Sequence, residues 1–461
     1  MTLTGFTSLL CLLALCLPMR PLWAQGVEPY PQAITDRRFY PKTRMVPPVV
    51  DSPFRDPDMG AMMVRVTDEF TNPQIPGSFF RNPSEDANEW SLDNRKFYVM
   101  GAESKVLAFA FDPATMTIGA LPGAGPGGAL LVPLNAGPTF SYLDPDLMYG
   151  TLLRTPLRIG TYRFSTGVVQ PVFDTTNCHT QPPLVAAKGV SSSDNTLSAD
   201  DNRMVISAGG GAFGVRPFVI VYDQKLGCRW YNTQTGQIGG QWGATGEVKI
   251  PERFLINHSV ISGNGRYVRI GSVTPGFAGF YIWDVTSLNV QPCRYHKDVQ
   301  LHCGGYFAVG SDTYLNAVGA FPDELNTLRR PLNDIADLTP LINPLPLPHY
   351  GGMAKHFAWN GGRSDSSVPV CGTTYSEAGD TQVKQPYDGE VFCMETDGLG
   401  STVWRFAHHR AKWNNEYYWT EPFGNLSLDG RFLAFTSGWD DQVGTNGDGD
   451  PRTDVWIVKL K

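Results

Sequence analysis

The chain has 461 residues, of which 12% are aromatic and only 18% are charged, with 49 glycines and 36 prolines. Glycine and proline recur along the whole chain and no long amphipathic helix is found, which indicates many short strands joined by turns and an all-β protein. The formal net charge is −7 and no basic stripe is present. Nucleic acid is therefore excluded as an expected partner.

The N-terminus is predicted to be an export signal. Residues 1–24 contain an apolar run, Phe6 to Met19, followed by a small residue at the expected cleavage position, Ala24. The run is short for a membrane span, so we expect a secreted or periplasmic protein with no span after cleavage. Residues 25–57 are proline-rich and polar, which predicts an extended arm, and residues 58–461 are predicted to form the folded domain.

A short phrase then repeats along the chain. Its clearest copy, Asn425 to Ser437, contains a short strand, an Asp429-Gly430 turn and a second apolar strand. Each strand pair is too small to bury its own apolar face, so neighbouring repeats must cover one another. The spacing allows about four strands per repeat, which predicts a seven-bladed β-propeller, with six or eight blades left open. The copies begin near residues 89, 141, 197, 258, 302, 356 and 425.

The two chain ends are predicted to complete one blade. The last repeat stops after the strand Thr453 to Leu460 and lacks a fourth strand, whereas the strand Met62 to Asp68 has no blade of its own. Pairing these two strands would close the ring and remove an unpaired sheet edge.

Six cysteines lie beyond the signal, an even number that favours disulfides in an exported chain. Six cysteines allow fifteen sets of pairs, so the connectivity is open from sequence. Proximity in sequence favours bonds that fasten connecting loops, namely Cys178–Cys228, Cys293–Cys303 and Cys371–Cys393.

Three histidines are candidate metal ligands. His258, His302 and His356 open three consecutive inner strands and are predicted to point towards one rim of the central channel. Clustered imidazoles suit a divalent metal, so Mn, Zn or Ca is the candidate cofactor. Structural hydrogen bonding within the blades and metal-free ligand contacts are the alternatives.

The loop that leads to the seventh blade carries further candidates on the same face. His408, His409 and Arg410 are candidate catalytic groups. Aromatic rings stack on sugars or cations, although they can equally pack between blades. The candidate ligand-binding residues, including two from the first blade, are Trp413, Tyr418, Trp419, Glu421, Asn88 and Glu89.

The phrase from Asn425 to Ser437, followed by Asp454-Val-Trp-Ile-Val, resembles the TolB-like, WD-repeat-related propellers of exported bacterial proteins. The segment Asp56-Pro57-x-x-Gly60 at the start of the domain and the stretch from Arg405 to Pro422 also resemble members of that group. The resemblance implies a fold that serves many functions. The arrangement of histidines is similar in outline to oligogalacturonate lyase propellers, although no His-x-x-His-x-His cluster is present.

Together these features predict a monomeric, exported propeller that binds a glycan or an envelope or extracellular protein at its His- and aromatic-lined mouth. The alternative is a metal-dependent polysaccharide lyase or hydrolase that acts on an acidic glycan. In that case the three histidines would hold the metal, His408 or His409 would act as base or acid, and Arg410 would pair with a substrate carboxylate.

Overall fold

A computed structural model describes most of the chain after residue 27. The described residues are 28–72, 78–84, 86–135, 137–153, 155–184, 195–209, 216–249, 253–272, 279–294, 307–317, 327–341, 356–374, 386–396, 402–412 and 416–461. In these ranges the helical segments are short 3₁₀ turns, Ala102–Ser104, Thr175–Cys178, Gly361–Arg363 and Tyr418–Thr420. None of them is long and apolar enough to cross a membrane.

Seven antiparallel sheets follow one another in chain order, which confirms the seven-bladed propeller. In each blade the first strand of the repeat is the inner one. Blade 1 contains Phe80–Arg81, Lys96–Gly101, Val106–Asp112, Thr117–Gly119 and Leu130–Val132, and blade 2 contains Thr139–Phe140, Leu147–Leu152, Thr155–Arg163 and Val168–Asp174. Blade 3 contains Thr196–Leu197, Arg203–Ala208, Phe218–Asp223, Gly227–Asn232, Gln237–Gly240 and Gly246–Glu247, and blade 4 contains Ile256–Ile261, Tyr267–Ser272, Gly279–Asp284 and Val290–Arg294. Blade 5 contains Phe307–Val309, Thr313–Ala317, Thr327–Pro331 and Thr339–Leu341, and blade 6 contains His356–Ala358, Val370–Thr373, Glu390–Met394 and Val403–His408. Blade 7 contains Gly424–Leu426, Phe432–Ser437, Asp454–Lys459, Met62–Arg65 and Phe54–Arg55.

The repeated phrase forms the turn between the first and second strands of a blade. In blade 7 the Ser427 hydroxyl donates to Asp429 Oδ1 at 2.9 Å and accepts the backbone N–H groups of Arg431 and Phe432. Gly430 has a φ of +69°, a conformation that glycine adopts at little cost. The same serine-to-Asp or serine-to-Asn bond recurs in blades 1, 3 and 4, at Ser91–Asp93, Ser198–Asp200 and Ser262–Asn264.

The predicted ring closure is confirmed. Met63 pairs with Val458, and Arg65 pairs with Trp456, so Met62–Arg65 is the fourth strand of blade 7. The Arg65 guanidinium also lies 2.5 Å from the carboxylate of Asp454, which is fully buried. The ring is therefore joined by both backbone pairing and a charged contact.

The residues before the closing strand lie along the outside of blade 6. Ile34 forms an antiparallel bridge with Arg405, and Tyr30 is buried with its ring centroid 5.3 Å from that of Trp404. The segment then joins blade 7 through the short strand Phe54–Arg55. The predicted signal, residues 1–24, lies outside the described residues.

Two of the three predicted disulfides are confirmed. Cys371–Cys393 joins directly opposed residues of neighbouring strands in blade 6. Cys178–Cys228 joins the turn after blade 2 to the fourth strand of blade 3. These bonds therefore fasten a sheet and a blade junction, where loop fastening was expected. Cys303 lies outside the described residues, and its bond to Cys293 stays a prediction.

Candidate functional site

The structure brings two predicted site residues together at the start of blade 6. His356 is the first residue of the inner strand and is buried, and its Nε2 lies 3.0 Å from Glu421 Oε2. The imidazole also packs against Phe423, with ring centroids 4.5 Å apart. This nitrogen of His356 is therefore already engaged by a carboxylate from the loop that enters blade 7.

His258 is engaged by a cation. Its Nε2 contacts the guanidinium of Arg269, and its ring stacks on Phe307 with centroids 5.0 Å apart. Burial, reinforced by the positive charges of Arg269 and Arg216, holds the pKa of His258 well below its ordinary value. A neutral imidazole that accepts from arginine is a poor site for a metal cation. The third predicted ligand, His302, lies outside the described residues.

The three candidate catalytic residues lie far from this mouth. Across blade 6, His356 pairs with Thr373, Thr373 with Val391, and Val391 with Ala407. Strands in a sheet lie about 4.8 Å apart, so His408, the neighbour of Ala407, is roughly 14 Å from His356. The sequence predicted these histidines on one surface, whereas the structure separates them by the width of a blade.

His409 is bonded to the backbone through both ring nitrogens. Nε2 lies 2.5 Å from the carbonyl oxygen of Thr374, and Nδ1 accepts the N–H of Ala411 at 2.9 Å. Burial lowers the pKa of His409 to about 3. This neutral side chain fastens the end of blade 6, and neither nitrogen is available for proton transfer in this geometry.

His408 and Arg410 form a buried cluster with two aspartates from the hairpin that precedes the closing strand. His408 Nδ1 lies 3.0 Å from Asp58 Oδ2, while Arg410 Nη2 lies 3.4 Å from Asp56 Oδ2 and 3.6 Å from Asp58 Oδ2. Ligand atoms of Asp56, Asp58 and His408 lie within 4.8 Å of one another, so these three groups could hold a metal ion. Arg410 already supplies a positive charge to both carboxylates, and a metal would have to displace it.

The two carboxylates of this cluster differ in their environments. Burial alone would raise the pKa of Asp58, but hydrogen bonds from His408 and Thr43 outweigh it and lower the pKa to about 2. Burial raises the pKa of Asp56 despite the opposing charge of Arg410. The cluster thus joins the arm, the closing hairpin and blade 6, and it lies at the periphery of the propeller.

Aromatic side chains gather beside the mouth where blades 6, 7 and 1 meet. We call Phe79, Arg81, Tyr418 and Trp419 the aromatic patch. Trp419 stacks on Phe79 with centroids 4.6 Å apart, and its indole N–H donates to Pro451 O at 3.0 Å. Tyr418 is 57% exposed, and the Arg81 guanidinium lies 5.8 Å from the centre of its ring. Trp413 lies outside the described residues.

The two candidates from blade 1 are buried. The Asn88 amide donates to Phe140 O, in the inner strand of blade 2, at 3.1 Å and so joins blades 1 and 2. The Asn82 amide donates to both oxygens of Glu89 at 2.8 Å, and burial raises the pKa of Glu89 well above its ordinary value. Neither side chain is exposed to solvent at the mouth.

One residue that sequence reasoning missed crosses the central channel. Arg363, at the end of a 3₁₀ turn in blade 6, donates to Val309 O in blade 5 at 3.3 Å and to Leu197 O in blade 3. Its guanidinium also lies 5.9 Å from the centre of the Tyr142 ring in blade 2. A Gly-Gly-Arg sequence in a turn gives no signal of this role, because the contacts come from distant blades.

No family model matches the sequence, and a search of curated proteins finds no match. Among solved structures, an oligogalacturonate lyase from Vibrio parahaemolyticus is similar at a TM-score of 0.56 and 11% identity, covering 93% of this chain and 98% of that one. An oligogalacturonate lyase in complex with manganese gives a TM-score of 0.56 and 13% identity, covering 91% and 98%. TolB from Acinetobacter baumannii gives 0.32 and 12%, covering 61% of each chain. The lyase likenesses confirm the propeller fold that the repeats predicted, and at these identities they show the fold alone.

Proposed function

We propose that the protein is an exported, monomeric propeller that binds a glycan at the aromatic patch. The observation that carries this proposal is the exposed ring of Tyr418 beside the guanidinium of Arg81. An exposed aromatic face stacks on the apolar face of a sugar ring, and a neighbouring arginine donates to hydroxyl or carboxylate oxygens. The two disulfides support export, because such bonds persist in oxidising compartments.

The chemistry of Arg81 favours a sugar that carries a carboxylate. Within the described residues Arg81 makes one hydrogen bond, from Nη1 to Asn82 O at 3.0 Å, so its other N–H groups are available to a ligand. The ring of Tyr418 packs edge-on against Phe423, with ring centroids 4.9 Å apart, which supports it from within the protein. Oligogalacturonate, the substrate in the names of the two similar structures, belongs to this class of ligand.

A metal-dependent lyase or hydrolase is the alternative, and the likeness to a lyase in complex with manganese motivates its test. His258 and His356 are engaged by Arg269 and Glu421, so the geometry favours binding without a metal at these histidines. If the chain does bind a metal, the Asp56, Asp58 and His408 cluster supplies two carboxylates and an imidazole, which suits Mn or Zn. Because Arg410 occupies this cluster, we assign no catalytic step to a metal.

Calorimetric titration with neutral and uronic-acid oligosaccharides tests the proposal. We expect Arg81→Gln to weaken binding of the uronic-acid ligand by about 10-fold or more, since a hydrogen bond to a charged group is worth about 1.5–3 kcal/mol. Tyr418→Ala should weaken both ligand classes. Phe39→Ala and Arg44→Gln change an exposed aromatic and an exposed cation elsewhere, and both should bind like the wild type.

Two results would decide against the proposal. Unchanged affinity in both Arg81→Gln and Tyr418→Ala would show that the aromatic patch is not the binding surface. Manganese-dependent release of unsaturated products from oligogalacturonate, lost in a folded His356→Ala variant, would establish the enzyme in place of the binding module.

A further inference from the structure

A cavity of about 910 Å³ opens on the face opposite to the aromatic patch. It is lined mainly by the turns between the first and second strands of blades 1, 2, 5, 6 and 7, whereas Tyr418 and Glu421 lie in a loop that enters an inner strand. Its volume falls within the roughly 300–1,000 Å³ of small-molecule pockets. Its polar lining is rich in hydroxyl and carboxylate groups, among them Ser311, Asp312, Ser364, Asp365, Ser366 and Ser367.

Arg363 separates this cavity from the opposite mouth. Tyr142 lines the cavity, and the Arg363 guanidinium lies 5.9 Å from its ring while also holding carbonyl oxygens of blades 3 and 5. Arg363 is only 3% exposed. A ligand in the cavity would therefore occupy a site distinct from the aromatic patch.

Two carboxylates of the cavity are held in place yet keep an oxygen for a ligand. Asp312 Oδ1 accepts from the hydroxyls of Ser366 and Thr313, at 3.0 and 2.9 Å, and Asp365 Oδ1 accepts the N–H and hydroxyl of Ser367. Within the described residues the Oδ2 atoms of Asp312 and Asp365 accept no hydrogen bond. Both aspartates lie on adjoining turns that Ser366 joins.

The charge of the lining indicates the ligand. Among the lining residues, Arg329 supplies a positive charge and donates to Thr396 O, while the carboxylate of Asp429 is paired with Arg431. The carboxylates of Asp312 and Asp365 together outweigh the single guanidinium of Arg329, so the lining has a net negative charge and favours a cationic ligand. An apolar ligand would cover the Oδ2 atoms of Asp312 and Asp365 without hydrogen bonding to them, which costs binding free energy.

We propose that this cavity is a second binding site, which takes a small polyhydroxylated ligand with a positive charge, of the amino-sugar class. The ammonium group lies between the carboxylates of Asp312 and Asp365, and the sugar hydroxyls hydrogen-bond with Ser364 and Ser367 of the blade 6 turn. This site is independent of the glycan site at the aromatic patch.

Titration of the full chain with short glucosamine oligomers, beside N-acetylated oligomers of the same length, tests the site. We expect the glucosamine oligomers to bind and the N-acetylated ones to bind about 10-fold or more weakly, because acetylation removes the charge that pairs with the carboxylates. Asp312→Asn/Asp365→Asn should lose about the same factor. The control Asp337→Asn/Asp448→Asn removes the same charge from exposed turns and should bind like the wild type.

Tyr418→Ala separates this site from the aromatic patch, and it should bind glucosamine oligomers like the wild type. The proposal is overturned if glucosamine oligomers do not bind, if they bind no better than the acetylated oligomers, or if the aspartate variant, folded by its melting temperature, binds them unchanged. Loss of their binding in Tyr418→Ala would move the amino sugar to the aromatic patch and equally overturn it.

Discussion

The closing strand of blade 7 should carry a large share of the stability of the ring. Met63 is fully buried, pairs with Val458, and packs in a cluster with Trp439 and Trp456. The next residue, Val64, faces the opposite side of the sheet and packs in the cluster between blades 7 and 1. One short strand thus contributes to the cores on both sides of blade 7.

Met63→Ala provides the test. The change removes three heavy atoms at a site with no exposure, which at about 0.8 kcal/mol per buried methylene amounts to about 2.4 kcal/mol. The cavity that remains brings the expected loss into the range of about 2–5 kcal/mol. Natural domains are stable by about 5–15 kcal/mol, so this is a substantial fraction of the free energy of unfolding.

Urea-induced unfolding followed by tryptophan fluorescence measures this loss, because Trp439 and Trp456 pack beside Met63. Leu131→Ala is the control, since Leu131 is 50% exposed in an outer strand of blade 1, and it should cost at most about 1 kcal/mol. If Met63→Ala costs no more than Leu131→Ala, closure of the ring by the N-terminal strand does not stabilise the fold.

Three further predictions concern a buried carboxyl, the disulfides and a tight backbone contact. The pKa of Glu89 is raised in the folded protein, so its contribution to stability is complete below pH 4.5 and is lost as the pH rises towards the folded-state pKa. Glu89→Gln should therefore become more stable relative to the wild type as the pH rises from 5 to 8. Equal pH profiles of the two proteins in chemical unfolding would contradict this. Replacing Cys178 and Cys228 by serine opens a loop of 50 residues and should lower the free energy of unfolding by about 4 kcal/mol. The same change at Cys371 and Cys393 opens a loop of 22 residues and should lower it by about 3 kcal/mol. A reversed order of the two melting temperatures would contradict the loop-length argument. A Cβ on Gly263 would lie 1.7 Å from the carbonyl oxygen of Arg363, so Gly263→Ala should cost about 1–3 kcal/mol, whereas Gly447→Ala meets nothing within 4 Å and should melt like the wild type.

The fold was predictable because its signal is local and repeated. The turn of each clear repeat is fixed by residues two positions apart, such as Ser427 and Asp429, and the bond between them recurs in other blades. Closure followed from counting strands, since Met62–Arg65 and the last blade each lacked a partner. The disulfide Cys371–Cys393 was predictable for the same reason, because its cysteines lie on neighbouring strands of one blade.

The candidate site was harder to predict because a position along a strand does not fix a distance from the channel. His356 opens the inner strand of blade 6, and His408 ends the outer strand of the same blade. These are the first and fourth strands of the sheet, so three strand spacings separate them. Sequence order near the seventh blade placed His408, His409 and Arg410 beside Tyr418. In the structure His408 and Arg410 contact the closing hairpin instead, and His409 is bonded to the backbone at the end of blade 6. Contacts with Asp56 and Asp58 span about 350 residues, and no local pattern encodes them.

The charged residues that suit a ligand are distinguished by how completely they are hydrogen-bonded within the protein. Arg363, Arg405 and Arg410 are buried with partners far along the chain, and they join blade 6 to blade 3, to the arm and to the closing hairpin, respectively. Arg81 instead lies beside an exposed ring with one hydrogen bond, and Asp312 and Asp365 each keep an oxygen without a partner in the described chain. Groups whose hydrogen bonds within the protein are incomplete at a surface suit a ligand best, because the ligand replaces bonds to water and breaks none within the protein. These groups lie at the two ends of a channel that Arg363 crosses, so the two mouths should bind their ligands independently.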